Sequence, residues 1–202
     1  TFYYELLPSK KCNKKKTVRD AIADLPKLYP LEHPVKINNK MYSHSFADES
    51  YSTKNHIPRF SSKRDIAVFK ILTEDIECGA NKYASTEALM QLYTEITGKK
   101  SNIHKYHVLR WDEPSNTIPA HLYKDGLRHI HPDSNQLRTI TVREAARLQT
   151  FPDDYEFITE TALDYKMIGN AVPPLFSKLL ADCVYILLFE KERKNCPFRL
   201  KI

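Results

Sequence analysis

Apolar residues recur at helical spacing in several stretches of this chain and lose their period between them. In TVREAARLQTFPD, Thr141 can accept a hydrogen bond from the N–H three residues on while Glu144 reaches back to the Thr141 N–H, a capping box that starts a helix. Ala145 and Leu148 continue it, with Arg143 and Arg147 on the same segment, and Pro152 stops it by disfavouring helical geometry at Phe151. Thr17 caps TVRDAIADL, whose Val18, Ala21, Ile22 and Leu25 make one apolar face, and Pro26 ends it. A third helix starts at Ser61 or Ser62 and carries Ile66, Phe69, Ile71 and Leu72. A fourth runs from about Ser85 to Ile96, with Leu89, Leu92, Tyr93 and Ile96 as its stripe and Gly98 as its end. From Pro173 to Lys191 the chain is apolar on nearly all sides, which predicts a helix buried against something.

Between these helices the pattern weakens. The opening TFYYELLPSKK reads as a strand-like run ending in a turn. Residues 27–56 hold prolines and polar runs such as KINNK, which predicts loop with at most one short strand. KYHVLRWDEPSNTIPAHLYKDGLRHIHPD reads as two or three short strands, broken at Asp112 to Asn116 and at Asp125 and Gly126, with Trp111 at the first turn. IGNAVPP reads as a turn leading into a helix: Gly169 and Asn170 tolerate left-handed backbone, and Pro173 or Pro174 suits a first helical turn. Such a turn lets a small ligand approach bare backbone. The fold class implied is α+β, small and irregular, with short strands and helices.

Composition narrows the class. With 202 residues, 42% hydrophobic and 28% charged, the chain has the make-up of one folded domain, or a domain plus an appended element, and not of a disordered segment. The four cysteines, Cys12, Cys78, Cys183 and Cys196, show no CxxC pairing, which argues against a disulfide framework and for a reducing cytoplasm. The most apolar run, Leu179 to Phe189, is short for a bilayer span and carries Asp182. Thr1 stands where a natural start has methionine, which suggests a piece of a longer chain.

Net charge is +6 with pI near 9.0, and twelve tyrosines accompany the excess of Lys and Arg, a mixture suited to phosphate and equally common in proteins that never meet it. Lys10, Lys11, Lys14, Lys15 and Lys16 form a basic run that reads as solvated linker before phosphate site. Arg59, Lys63 and Arg64 stand near one helix start and read either as phosphate contacts or as surface charge. His129 and His131 alternate along HIH, and no cysteine or carboxylate at ligand spacing completes a metal set around them.

Arg138, then TVREAARLQTFPD, a spacer, and IGNAVPP, in that order and separation, resemble the last two signature segments of the DNA (cytosine-5) methyltransferases. TVRDAIADLP resembles the segment that follows the family's last catalytic strand. EPSNTI supplies the family's Pro, spacer, Thr and apolar residue as Pro114, Thr117 and Ile118. The resemblance implies methyl transfer from S-adenosyl-L-methionine to carbon 5 of a cytosine flipped out of double-stranded DNA, with a cysteine attacking carbon 6. It implies that Thr117, with Ile118 beside it, contacts DNA backbone, strand packing being the alternative role for that threonine. Arg138, Thr141, Arg143, Glu144, Arg147, Pro152 and Gly169 become structural members of the motifs, and Asn170 and Ala171 line the donor's pocket.

The family's other parts do not occur in this sequence: it holds no Pro-Cys pair, no Glu-Asn-Val and no Phe-x-Gly-x-Gly. The resemblance therefore covers the carboxyl-terminal half, so no catalytic residue is expected in this chain. Its expected organisation is a linker strand and helix over 1–27, a target-recognition domain over 28–131 and the organising helix over 132–158. Residues 159–202 then supply a turn and a helix packing on an absent α/β catalytic domain. The expected partners are duplex DNA and an amino-terminal catalytic half, in the same or a separate chain, in a bacterial cytoplasm beside the nucleoid and in a restriction-modification setting. The alternative is a DNA-binding module without catalysis.

Overall fold

The computed structural model describes residues 5–10, 14–46, 54–100 and 106–190. Two compact units share the chain: Lys16–Asn170 form one, and Thr1–Lys15 with Ala171–Ile202 the other. The expected basic run keeps Lys10, Lys14, Lys15 and Lys16 within the described residues, whereas Lys11, Cys12 and Cys196 lie outside them.

In the larger unit, Thr17 caps the short helix α2 (Val18–Ile22) as the sequence predicts, and Asp20 answers it to complete a capping box. A hairpin follows, β1 (Pro30–Ile37) paired antiparallel with β2 (Lys40–His44), where the sequence predicts mainly loop. Asn38 and Asn39 close it at φ 46° and 65°, a two-residue turn whose handedness matches the twist of the flanking strands. The register slips between Pro30 and Val35, so the prolines sit at the irregular end and cost the ladder little. Helices α3 (Lys63–Glu77) and α4 (Thr86–Thr97) start at Ser62 and Ser85, and α4 ends on left-handed Gly98. Their Val68, Phe69, Leu72, Leu89 and Leu92 form one apolar cluster with Tyr106, Val108, Ile130 and Leu137.

A second cluster joins α2, Leu109, Ile118 and Leu122 to α5 (Val142–Leu148) and α6 (Thr161–Asn170). The strands expected over 105–133 shrink to single bridges, Val108 to Ile130 and Ile130 to Thr139, and two short 3-10 turns, Ala120–Tyr123 and Gly126–Arg128, lie between them. Trp111 does stand in a turn. Thr150 ends α5 with φ 67°, its N–H on the Arg147 carbonyl and the Phe151 N–H on that of Ala146. This paired closure usually takes glycine at that position.

In the smaller unit, Glu5 to Ser9 are helical, α1 spanning Leu7–Ser9, where the sequence suggests a strand. Pro8 at a first-turn position needs no N–H partner there. Helix α7 (Pro174–Tyr185) continues as a π turn through Ile186–Glu190. Cys183 is its one buried residue among those described, while Phe176, Val184, Tyr185, Leu188 and Phe189 are exposed. The stretch Thr161–Phe189 has the length and composition of a membrane span, but residues 171–173 interrupt its helix.

Candidate functional site

Helix α5 is short, so its position depends on what its side chains reach. Thr141 and Glu144 form the reciprocal cap, with Thr141 N–H donating to Glu144 Oε2 at 2.7 Å. The same carboxylate takes a two-pronged grip from Arg138, Nη2 to Oε1 at 2.6 Å and Nη1 to Oε2 at 2.7 Å. Arg138 is 1% exposed and Glu144 0%, so this pair lies away from water, where matched geometry decides its worth. Burial alone raises a carboxyl's pKa, yet the Arg138 charge and hydrogen bonds hold Glu144 well below the usual carboxylate range.

Other groups complete the cluster. His56 Nε2 is 2.8 Å from the Pro26 carbonyl, which only accepts, so this nitrogen carries the proton and Nδ1 accepts from the Thr141 hydroxyl at 2.9 Å. His131 accepts the Asp133 N–H on Nδ1 at 3.2 Å and turns Nε2 toward Glu144 at 3.5 Å. Burial, with the Arg138 charge beside it, pushes His131 down to about 3, so its imidazole is neutral. Gln136 accepts from Arg138 at 2.7 Å and from the Leu28 N–H at 3.0 Å, which fastens the root of the hairpin to the same cluster.

Arg143, 0% exposed, uses its guanidinium on backbone: Nε donates to the Lys54 carbonyl at 2.9 Å and Nη2 to that of Tyr155 at 3.0 Å. Its Nη1 donates to the carbonyl of Pro152. Arg147 joins α5 to Asp24, just beyond α2, and to Asp153, each through a 2.6 Å bond. Together these contacts hold the loops around one helix. The cluster can position backbone; its groups are engaged with one another.

Thr117 is exposed and Ile118 buried, so the pair points one member outward and anchors the other. The Thr117 carbonyl accepts from His129 Nε2 at 3.2 Å, and burial pushes His129 down to about 4. His129 and His131 thus serve different partners, and among the described residues no His, Cys, Asp and Glu group has a metal's arrangement. Arg59 lies 3.9 Å over the ring of buried Tyr165, whose hydroxyl donates to the Ile140 carbonyl. Arg64 is exposed on the first turn of α3.

Gly169 is not in a left-handed turn: it and Asn170 are the last residues of α6. A Cβ on Gly169 would stand 2.3 Å from the Pro119 carbonyl oxygen and 2.6 Å from the Ala120 nitrogen. Glycine is therefore needed for a close approach between two backbone segments, two residues beyond Thr117. Helix α6 and the 3-10 turn Ala120–Tyr123 pack along their length on this contact. Asn170 is exposed at a helix end that presents carbonyls, not the bare amides of a turn. His56, Gln136 and Tyr165 carry no pattern that marks them, because His56 meets Thr141, Gln136 meets Leu28 and Tyr165 meets Ile140 across 85, 108 and 25 residues.

The larger unit thus has one helix held by internal charge and an exposed Thr117 whose segment packs against the end of α6. Residues 4–184 match the model of the C-5 cytosine-specific DNA methylases, and the chain belongs to that family. It is 34% identical over 184 residues to the type II methyltransferase M.Bpa9945I of Bacillus paralicheniformis, covering 85% of this chain and 41% of that protein. It is 42% identical over 85 residues to M.AgeI of Thalassovita gelatinovora, covering 42% of this chain and 19% of that protein. With M1.HphI of Haemophilus parahaemolyticus the identity is 27% over 168 residues, 83% of this chain and 36% of that one. The chain thus spans less than half the length of these relatives.

Proposed function

We propose that this chain is the recognition and closing part of a bacterial type II cytosine-5 DNA methyltransferase in a restriction-modification setting. It binds double-stranded DNA and, with an amino-terminal catalytic half, completes the site for S-adenosyl-L-methionine. The observation that carries this reading is the approach of Gly169 to the Pro119 carbonyl. It joins the segment bearing Thr117 and Ile118, read as the DNA contact, to the segment ending in Asn170, read as the donor contact.

The donor supplies an activated methyl group. The residues here fit its charged amino-acid end: the carbonyl end of a ten-residue helix carries partial negative charge, and Asn170 offers both a donor and an acceptor amide. Ala171 follows as the second residue of that pocket. The exposed apolar side of α7 is the surface for the catalytic half. None of the four cysteines, Cys12, Cys78, Cys183 and Cys196, is preceded by proline, so the nucleophile comes from that other half.

Mixing tests this. The isolated chain should transfer no labelled methyl to cytosine, and adding a purified amino-terminal half should restore transfer on duplex DNA. Activity from the chain alone, after a control for contaminating enzyme, would overturn the assignment. A chain that binds duplex yet supports no transfer with any such half would favour a non-catalytic DNA-binding module.

A further inference from the structure

We propose that the β1–β2 hairpin is the element that reads bases, entering the major groove with Asn38 and Asn39 at its tip; this rests on the DNA reading above. The hairpin has little to do inside the fold. Every residue from Val35 to Met41 is exposed, including the apolar Val35 at 40%, Ile37 at 44% and Met41 at 42%. Among the described residues neither Asn38 nor Asn39 has a hydrogen-bond partner for its side-chain amide. Val35 and Ile37 share one face of the ribbon with Lys40, and Met41 shares the other with Lys36, so each face offers apolar and cationic groups side by side.

Shape and charge choose the occupant. A two-stranded ribbon has strands roughly 4.8 Å apart, and the major groove, about 12 Å wide, admits one. Lys36 and Lys40 flank the tip and can meet phosphate on either side, and no acidic residue lies between Val35 and Met41. The root adds positive charge. The Ser43 hydroxyl in β2 accepts the Ser61 N–H at 2.8 Å, which seats β2 beside the first turn of α3 and its exposed Lys63 and Arg64.

The chemistry at the tip is specific. An Asn amide pairs in two-pronged fashion with adenine N6 and N7, and apolar side chains such as Ile37 and Met41 suit the thymine methyl. The left-handed turn fixes where both amides point. The root is fixed as well, because the Leu28 N–H bonds to Gln136 within the Arg138 cluster and the Tyr29 N–H to the Ser45 hydroxyl at 2.9 Å. The ribbon is thus a rigid reader on a rigid base, and the sequence it selects contains an A·T pair.

The full chain is tested by selection from a randomised duplex library, followed by affinity for the selected and a scrambled duplex. Asn38→Gly/Asn39→Gly is the informative variant, because glycine keeps the left-handed turn while removing the amides. It should lose about tenfold or more of its preference for the selected duplex and keep its affinity for the scrambled one. Lys36→Gln/Lys40→Gln should weaken both duplexes alike and lower the slope of log affinity against log salt by about two. If the double-glycine variant selects the same sequence with the same preference, the hairpin is not the reader. An unmodified chain that binds no duplex overturns the DNA reading and this inference together.

Discussion

Helices α5 and α7 invert the usual relation between polarity and burial. The first carries two arginines and a glutamate in seven residues, and Arg143 and Glu144 are fully buried. The second is mostly apolar and has one buried residue among those described. What separates them is whether a partner stands among the described residues. Each charged group of α5 finds a matched acceptor or donor, Glu144 on nearby Arg138 and the two arginines on segments up to 123 residues away, which offsets the desolvation that burial costs. The apolar face of α7 finds no such cover among the described residues.

Removing one member of the buried pair should break this contrast most sharply. Glu144→Gln leaves Arg138 buried without its counter-charge and should cost about 3 to 5 kcal/mol, enough to unfold much of the 16–170 unit. Urea unfolding followed by circular dichroism measures it. Arg138→Met/Glu144→Leu should lose less than Glu144→Gln alone. If the single variant is as stable as the parent, the ion pair does not hold α5.

Acid should act on the same region. His44, His129 and His131 have folded pKa values pushed down to about 4, 4 and 3, chiefly by burial, from an ordinary 6.5. Below 6.5 the unfolded chain therefore binds more protons than the folded one. Stability is complete above that pH and falls as pH drops toward 4, by up to about 1.4 kcal/mol per pH unit for each histidine. The depressed Glu144 adds a further loss below its ordinary value of 4.5. A melting temperature unchanged between pH 7 and pH 5 would contradict the neutral, buried assignment.

Gly169→Ala should cost about 1 to 3 kcal/mol, since its methyl meets backbone that cannot swing aside as a side chain would. Thermal melts of the chain should show it, and an unchanged melt would mean that the Pro119 segment yields freely. The smallest effect belongs to α7. Phe176→Ser should shift the unfolding of the 16–170 unit by less than about 0.5 kcal/mol, while weakening reconstitution with a catalytic half. A large loss of stability in the isolated chain would show that α7 is covered after all.

What the sequence discloses here is what lies within a few residues of itself. The caps at Thr17, Ser62, Ser85 and Thr141 and the glycine end of α4 are local hydrogen bonds between near neighbours, and each is legible as spacing. The hairpin is missed because Pro30 and Pro34 fall in β1 and the pairing slips there, so no alternation survives to be read. The strands expected over 105–133 fail for the opposite reason: apolar residues are present, but each meets a partner at a single position. Gly169 looks like turn chemistry because its actual reason, the Pro119 backbone, is 50 residues away. The resemblance names Arg138 and Glu144, yet His56 and Gln136, which finish their cluster, carry no pattern of their own.

The contacts around α5 also set a clock. Arg147 reaches back 123 residues to Asp24, and His56 waits 85 residues for Thr141. A ribosome adding about 5 to 20 residues per second takes roughly 6 to 25 s to cover the longer gap. Through that interval the early half has its helices but lacks the segment that closes over them. The nascent chain should then be a client of holding chaperones, and its folding should finish only once Arg147 has left the ribosome.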